Sequence, residues 1–133
     1  MMDMAALIDN ATTARSNAYA PYSGFAVGAA ILDENGNIHA GCNVENAAYP
    51  QGQCAETSAI GAMIVAGGKR IAAIAIAGPE GSAPCTPCGG CRQRIREFAA
   101  PDTPVVIASG GKAIAQHPLA NLLPESFGPE HLR

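Results

Sequence analysis

The run from Arg70 to Ala77 restricts the fold of this chain more than any other stretch. After its first residue it reads Ile-Ala-Ala-Ile-Ala-Ile-Ala, with no polar position. A strand with one wet face alternates apolar and polar residues, whereas a strand without polar positions is covered on both faces. The rest of the chain therefore has to supply helices for two sides of a sheet.

The pieces are present on either side of that run. Asp3 to Ala18 reads as a helix, with Asp3 as its N-cap and Leu7, Ile8, Ala11 and Ala14 at helical spacing. Tyr19 to Gly24 is a loop, Phe25 to Leu32 a buried strand, and Asp33-Glu34-Asn35-Gly36-Asn37 a hairpin turn returning into Ile38 to Cys42. Asn43 to Gln53 is polar and irregular. From Cys54 to Ala66 the pairs Ala59/Ile60 and Met63/Ile64 mark a helix that Gly67-Gly68 ends. The Pro-rich stretch Gly78 to Pro87 is a loop, Cys88 to Ala99 a helix, and Val105 to Ala108 and Ala113 to Gln116 are strands. Pro118 to Leu123 reads as a helical turn before the tail Pro124 to Arg133. Helices alternating with five strands predict an α/β fold with a mixed sheet and helices on both faces, a three-layer α/β/α arrangement. At 133 residues the chain is expected to be a single domain, residues 1–133.

Composition narrows the function. Charged residues make up 14% of the chain, so little of its surface has to be wet and partner subunits are expected to cover some of it. The net charge of -3 and a pI near 5.5 count against nucleic acid as a partner, which needs clustered Lys and Arg. No apolar run approaches the ~20 residues of a membrane-spanning helix. Met1-Met2-Asp3-Met4 has no basic stretch leading into an apolar one, so no secretory leader is expected. Five cysteines without such a leader point to reduced thiols or metal ligands in a cytoplasmic protein.

Those cysteines carry the chemistry. Cys88 and Cys91 lie three apart on the first turn of their helix, hence on one face, where the positive helix N-terminus favours thiolate. Alone, the pair fits a metal site, a redox CxxC or a core stripe shared with Ile95 and Phe98. Cys54 adds a third sulfur at the start of the other central helix, and Glu56 follows it. Positions two apart are about 200° around a regular helix, so both can address one metal only if Cys54 sits at the helix mouth. Three thiols and an acid fit a catalytic zinc site with an open position, whereas a structural site takes four protein ligands. Cys85 would close the site as a fourth ligand. Pro84 and Pro87 bracket it in a loop, and we read it as an unligated thiol.

Cys54-Ala55-Glu56 followed by Pro87-Cys88-Gly89-Gly90-Cys91 resembles the zinc-dependent nucleobase and nucleoside deaminases. Three further stretches narrow the resemblance to the small homotetrameric cytidine deaminases: Tyr19 to Phe25, Gly41 to Tyr49, and Leu122-Leu123-Pro124 through Phe127. The resemblance implies one zinc per subunit on Cys54, Cys88 and Cys91, with water as the fourth ligand. Glu56 would carry the water's proton to ring N3 and then to the departing amine, turning cytidine and deoxycytidine into uridine and deoxyuridine plus ammonia in pyrimidine salvage. It implies Asn43 and Glu45 on the ribose hydroxyls, Phe25 and Ala55 against the pyrimidine, and Ala47, Tyr49 and Phe127 at an active site shared between subunits of a tetramer. Without the resemblance, Phe25 would read as core, Asn43 and Glu45 as solvated loop residues, and Phe127 as a packing anchor.

The chain departs from that family at Thr57, where arginine is common. Three thiolates on Zn²⁺ leave a surplus negative charge, which nearby positive charge offsets. Arg92, one residue past Cys91 and four past Cys88, is expected to reach back towards a sulfur and to share this neutralisation with the two helix N-termini, with Thr57 giving at most a neutral hydrogen bond. Two other functions remain open on the residues alone: deamination of a different aminated nucleoside or heterocycle, of the blasticidin type, and a structural-zinc binding module.

Overall fold

The computed structural model of the chain describes residues 3–81 and 83–132. Met1 and Met2 of the expected leaderless start, Ser82 of the Gly78–Pro87 loop and Arg133 of the tail lie outside the described residues. Five strands form one sheet: β1 (Gly28–Asp33), β2 (Ile38–Cys42), β3 (Ile71–Ala77), β4 (Pro104–Ser109) and β5 (Lys112–Pro118), in the order β2-β1-β3-β4-β5. Only β3 and β4 pair in parallel; the other three pairings are antiparallel, so the sheet is mixed as expected. The helices are α1 (Met4–Arg15), α2 (Ala55–Val65), α3 (Gly89–Phe98) and the single turn α4 (Leu119–Leu122).

The apolar run is the middle strand, and its two faces do different work. Ile74 and Ile76 join Ile31, Val105 and Ile107 under Ile60 and Met63 of α2 and Ile95 of α3. Ala73, Ala75 and Ala77 join Ala30, Val106 and Ala108 against Leu7, Ile8 and Ala11 of α1. The alternation of isoleucine and alanine is thus a division between two covered faces.

Strand direction then sets where the site can be. β2 and β3 both run antiparallel to β1, so they point the same way. The chain passes from the end of β2 to α2 and from the end of β3 to α3, which brings both helix N-termini to one edge of the sheet. Ligand crevices of open α/β sheets lie at that edge. Close packing holds α2 down: a Cβ on Gly41 of β2 would fall 2.4 Å from the Ala59 amide nitrogen and 2.8 Å from the Ala55 carbonyl.

Several boundaries differ from the sequence reading, and three of the differences have a plain physical cause. α1 stops at Arg15, because the next three amides bond three residues back, in the tighter pattern of a helix end. β1 begins at Gly28 instead of Phe25, because the Asn43 side chain takes over the backbone partners of that segment. Its Oδ1 accepts from the Val27 amide at 2.9 Å and its Nδ2 donates to the Phe25 carbonyl at 2.8 Å. β5 is longer than predicted: Gly110 and Gly111, with φ of 59° and 78°, make a tight turn that lets Lys112 pair with Ser109 at once.

Candidate metal centre and substrate cavity

Cys54 and Cys88 are N-caps. Both have extended backbone, φ −77° and ψ 161° for Cys54 and φ −67° and ψ 168° for Cys88, and each stands just before the first turn of its helix. Cys54 therefore meets the condition for sharing a metal with Glu56, a place at the helix mouth. Cys91 lies within α3 and is fully buried. The three Sγ atoms all lie within 4.8 Å of one another, and Cys85 is not part of that group.

Tetrahedral zinc with Zn–S of ~2.3 Å wants its sulfurs roughly 3.8 Å apart, so this triangle fits the ion after a small contraction. The electrostatics say the same. Burial pushes the Cys54 and Cys91 thiols up, and the charges of Glu56, Cys54 and Cys88 raise Cys91 further, whereas a hydrogen bond with Cys91 partly offsets the rise at Cys54. The backbone amide of Cys91, pointing at Cys88, holds the Cys88 thiol below its ordinary range. Three sulfurs this close can be thiolates together only around a cation, and thiolate-rich tetrahedral sites suit zinc.

Glu56 sits in the first turn of α2 with 4% of its surface exposed, and burial raises its carboxyl above the usual range. It lines a cavity of about 350 Å³ together with Phe25, Asn43, Glu45, Cys54, Ala55 and Cys88. These predicted residues come from the loop before β1, the end of β2 and the two helix starts.

Four residues that sequence reasoning did not assign to the site complete the cavity wall: Ser23, Val27, Cys85 and Thr86. Ser23 is the most connected. Its hydroxyl donates to Glu45 Oε2 in a very short bond and accepts from the Phe25 amide at 2.9 Å. The Tyr22 and Ser23 amides donate to Glu45 Oε1 at 3.0 and 3.1 Å. The Ser23 hydroxyl and these amides hold the Glu45 carboxyl below its usual range. The Pro21–Gly24 turn was the available signal, since a serine in such a turn caps nearby groups.

Other expected residues stand outside this cavity. Tyr49 lines an adjoining pocket that shares Ser23 and Glu45, and its ring meets Tyr22 edge-on at 6.0 Å. Ala47 is exposed beside it, and Phe127 is exposed on the tail. Thr57 faces a groove with Gln93, Arg94 and Glu97 of α3. Arg92 gives its hydrogen bonds to two carbonyls, that of Pro87 at 2.6 Å and that of Leu122 at 2.8 Å, instead of the expected sulfur.

Comparison with known proteins agrees with this geometry. The profile of the cytidine and deoxycytidylate deaminase zinc-binding region matches residues 1–107. The chain is 43% identical over 132 residues to a cytidine deaminase of Sporosarcina psychrophila, covering 98% of this chain and 96% of that one. It is 40% identical over 136 residues to a cytidine deaminase of Mycobacterium tuberculosis, covering 98% and 94%. Its fold is similar to the crystal structure of a cytidine deaminase from Burkholderia pseudomallei, with a TM-score of 0.87, 42% identity and coverage of 95% and 100%. Three sulfurs at two helix mouths, a buried carboxyl beside them and a near full-length likeness lead to one assignment: the chain belongs to the cytidine and deoxycytidylate deaminase family of zinc-binding proteins.

Proposed function

We propose that this chain deaminates cytidine and deoxycytidine to uridine and deoxyuridine, releasing ammonia, in pyrimidine salvage. The observation that carries the reading is the buried Glu56 carboxyl beside the three-sulfur cluster at the wall of a nucleoside-sized cavity. Cys54, Cys88 and Cys91 would hold the zinc, whose contribution when bound would be to acidify a water towards neutrality. The reaction adds that water's oxygen at C4 and expels the amine. Glu56 takes the proton, places it on ring N3, and then delivers a proton to the departing nitrogen. Phe25 and Ala55 flank the pyrimidine, while Asn43 and Glu45 receive the ribose hydroxyls. Each still has bonding capacity beyond its contacts within the chain: one amide hydrogen on Asn43 and free lone pairs on Glu45.

Residues 1–133 act as one catalytic domain within a cytoplasmic homotetramer. Five free cysteines, three of them metal ligands, suit a reducing compartment. Exposed Val65, Tyr49 and Phe127 support the assembly, because apolar side chains on that scale are normally covered. Ala47, Tyr49 and Phe127 complete the site from a neighbouring subunit. Ammonia release is to be followed with the zinc-loaded protein on cytidine, deoxycytidine, cytosine and adenosine. Turnover of the two cytosine nucleosides alone is expected, and activity on none of them would refute the reading. Glu56→Gln is expected to abolish turnover while keeping one zinc per chain.

A further inference from the structure

The tail holds an aromatic ring in an unusual way. Phe127 is 55% exposed, yet the backbone on both sides of it is tied down. Arg96 Nε donates to Ser126 Oγ at 2.7 Å, and Arg96 Nη2 donates to Glu130 Oε1 at 2.6 Å. Gln93 Nε2 donates to the Phe127 carbonyl at 2.9 Å. The Gly128 amide donates to His131 Nδ1 at 2.9 Å, and the His131 ring stacks on Phe127 with centroids 4.9 Å apart and planes 17° from parallel. Gly128 lies flat against the clamp, for a Cβ there would fall 2.4 Å from Arg96 Cζ.

A chain terminus is ordinarily loose unless something fixes it, and ordering it costs entropy. Here the ordering presents a large apolar ring to solvent, a result that contributes nothing to a lone chain. We propose that Arg96 is a positioning residue for Phe127: it clamps residues 126–130 onto α3 so that the ring stands in a fixed orientation to close the nucleoside cavity of a second copy of this chain. This rests on the reading above that the tail completes a neighbouring site. Arg96 suits the task because a guanidinium is a planar fork that addresses two acceptors at once, whereas an ammonium is a point charge. Cys88 caps its helix and Cys91 lies within it, so the clamp is referred to the same rigid element as two of the zinc ligands.

The test compares Arg96→Gln, Glu130→Gln, Phe127→Ala and the Arg96→Gln/Phe127→Ala double variant of the zinc-loaded protein. The readouts are kcat and KM for cytidine, with assembly state checked by sedimentation. A misplaced cover weakens nucleoside binding more than it alters the proton transfers, so Arg96→Gln is expected to raise KM about ten-fold with little change in kcat. Glu130→Gln, which alters only the exposed tail, is expected to shift KM in the same direction by less. The double variant is expected to match Phe127→Ala alone, since residues acting through one another are not additive. KM raised by Phe127→Ala but unchanged in both Arg96→Gln and Glu130→Gln would overturn the clamp and leave the tail's role standing. Additive effects in the double variant would also overturn it. An unchanged KM in Phe127→Ala would overturn the reading of the tail and the clamp with it.

Discussion

Replacing Gly41 by alanine puts one methyl group between β2 and α2, and the structure says where it lands. The new carbon would lie 2.4 Å from the Ala59 nitrogen, 2.7 Å from Ser58 Cβ and 2.8 Å from the Ala55 carbonyl oxygen. Comfortable contact is ~3.5 Å, so the start of α2 has to move outward by about 1 Å. Overpacking of this kind costs about 2 kcal/mol, or roughly 5 °C or more in Tm for a domain of this size. The functional cost is larger, because Cys54 and Glu56 ride on the displaced turn while Cys88 and Cys91 stay on α3. A misplacement of that size lowers kcat/KM by about a hundred-fold. The assay is cytidine turnover together with zinc per chain and Tm. If Gly41→Ala keeps wild-type turnover, the seating of α2 on β2 does not set the geometry of the site.

Two more substitutions probe the supports of the site and fold. Ser23→Ala removes the hydroxyl that joins Glu45 to the Phe25 amide, and is expected to raise KM for cytidine several-fold with kcat nearly unchanged; an unaltered KM would show that the turn amides alone hold Glu45. Asp33, 2% exposed at the hairpin turn, accepts from the Asn35 and Asn37 amides at 2.8 and 3.0 Å and pairs with His39 Nε2 at 2.7 Å. Asp33→Ala is expected to lower stability by about 2 kcal/mol at neutral pH, read by denaturant unfolding. The hydrogen bond from His39 first, and the turn amides after it, hold the Asp33 carboxyl below its ordinary range despite its burial. Its support is therefore complete above the ordinary carboxyl pKa and lost as pH falls through the lowered one. The gap between wild type and variant should close in strong acid, and a gap that persists there would contradict the sign.

Much of this was legible in the sequence because it is local. The Asn35-Gly36 turn, the isoleucine run and the glycine-terminated helix each follow from residue types a few positions apart, and the three cysteines with Glu56 carry their chemistry in their spacing. Phe25 shows the limit. It reads as strand, but its backbone partner is a side chain, Asn43, that propensity rules do not count. Cys54 and Cys88 are N-caps one residue outside their helices, which settles the condition that spacing left open, a place for Cys54 at the helix mouth. Gly41 and Gly128 matter for the atoms they lack, opposite partners whose approach only the fold reveals. The Arg96 clamp joins positions 30 and 34 residues apart, beyond any periodicity.

The charge of the metal site joins these scales. Three thiolates around Zn²⁺ leave one surplus negative charge, and sequence alone assigned the offset to Arg92 together with the two helix N-termini. In the fold, two helix N-termini converge on the sulfurs, each equivalent to roughly +0.5 of a charge, so together they match the surplus. They converge because β2 and β3 run in the same direction, which is a property of topology and of no single residue. Arg92 is then left with a mechanical task, tying the Pro87 carbonyl just before Cys88 to the Leu122 carbonyl at the root of the tail. Arg92→Gln is accordingly expected to keep one zinc per chain while raising KM, as loop and tail lose their common anchor. Should a folded Arg92→Gln protein lose its zinc, the guanidinium charge would be required after all, and the two helix ends would not suffice to balance the sulfurs.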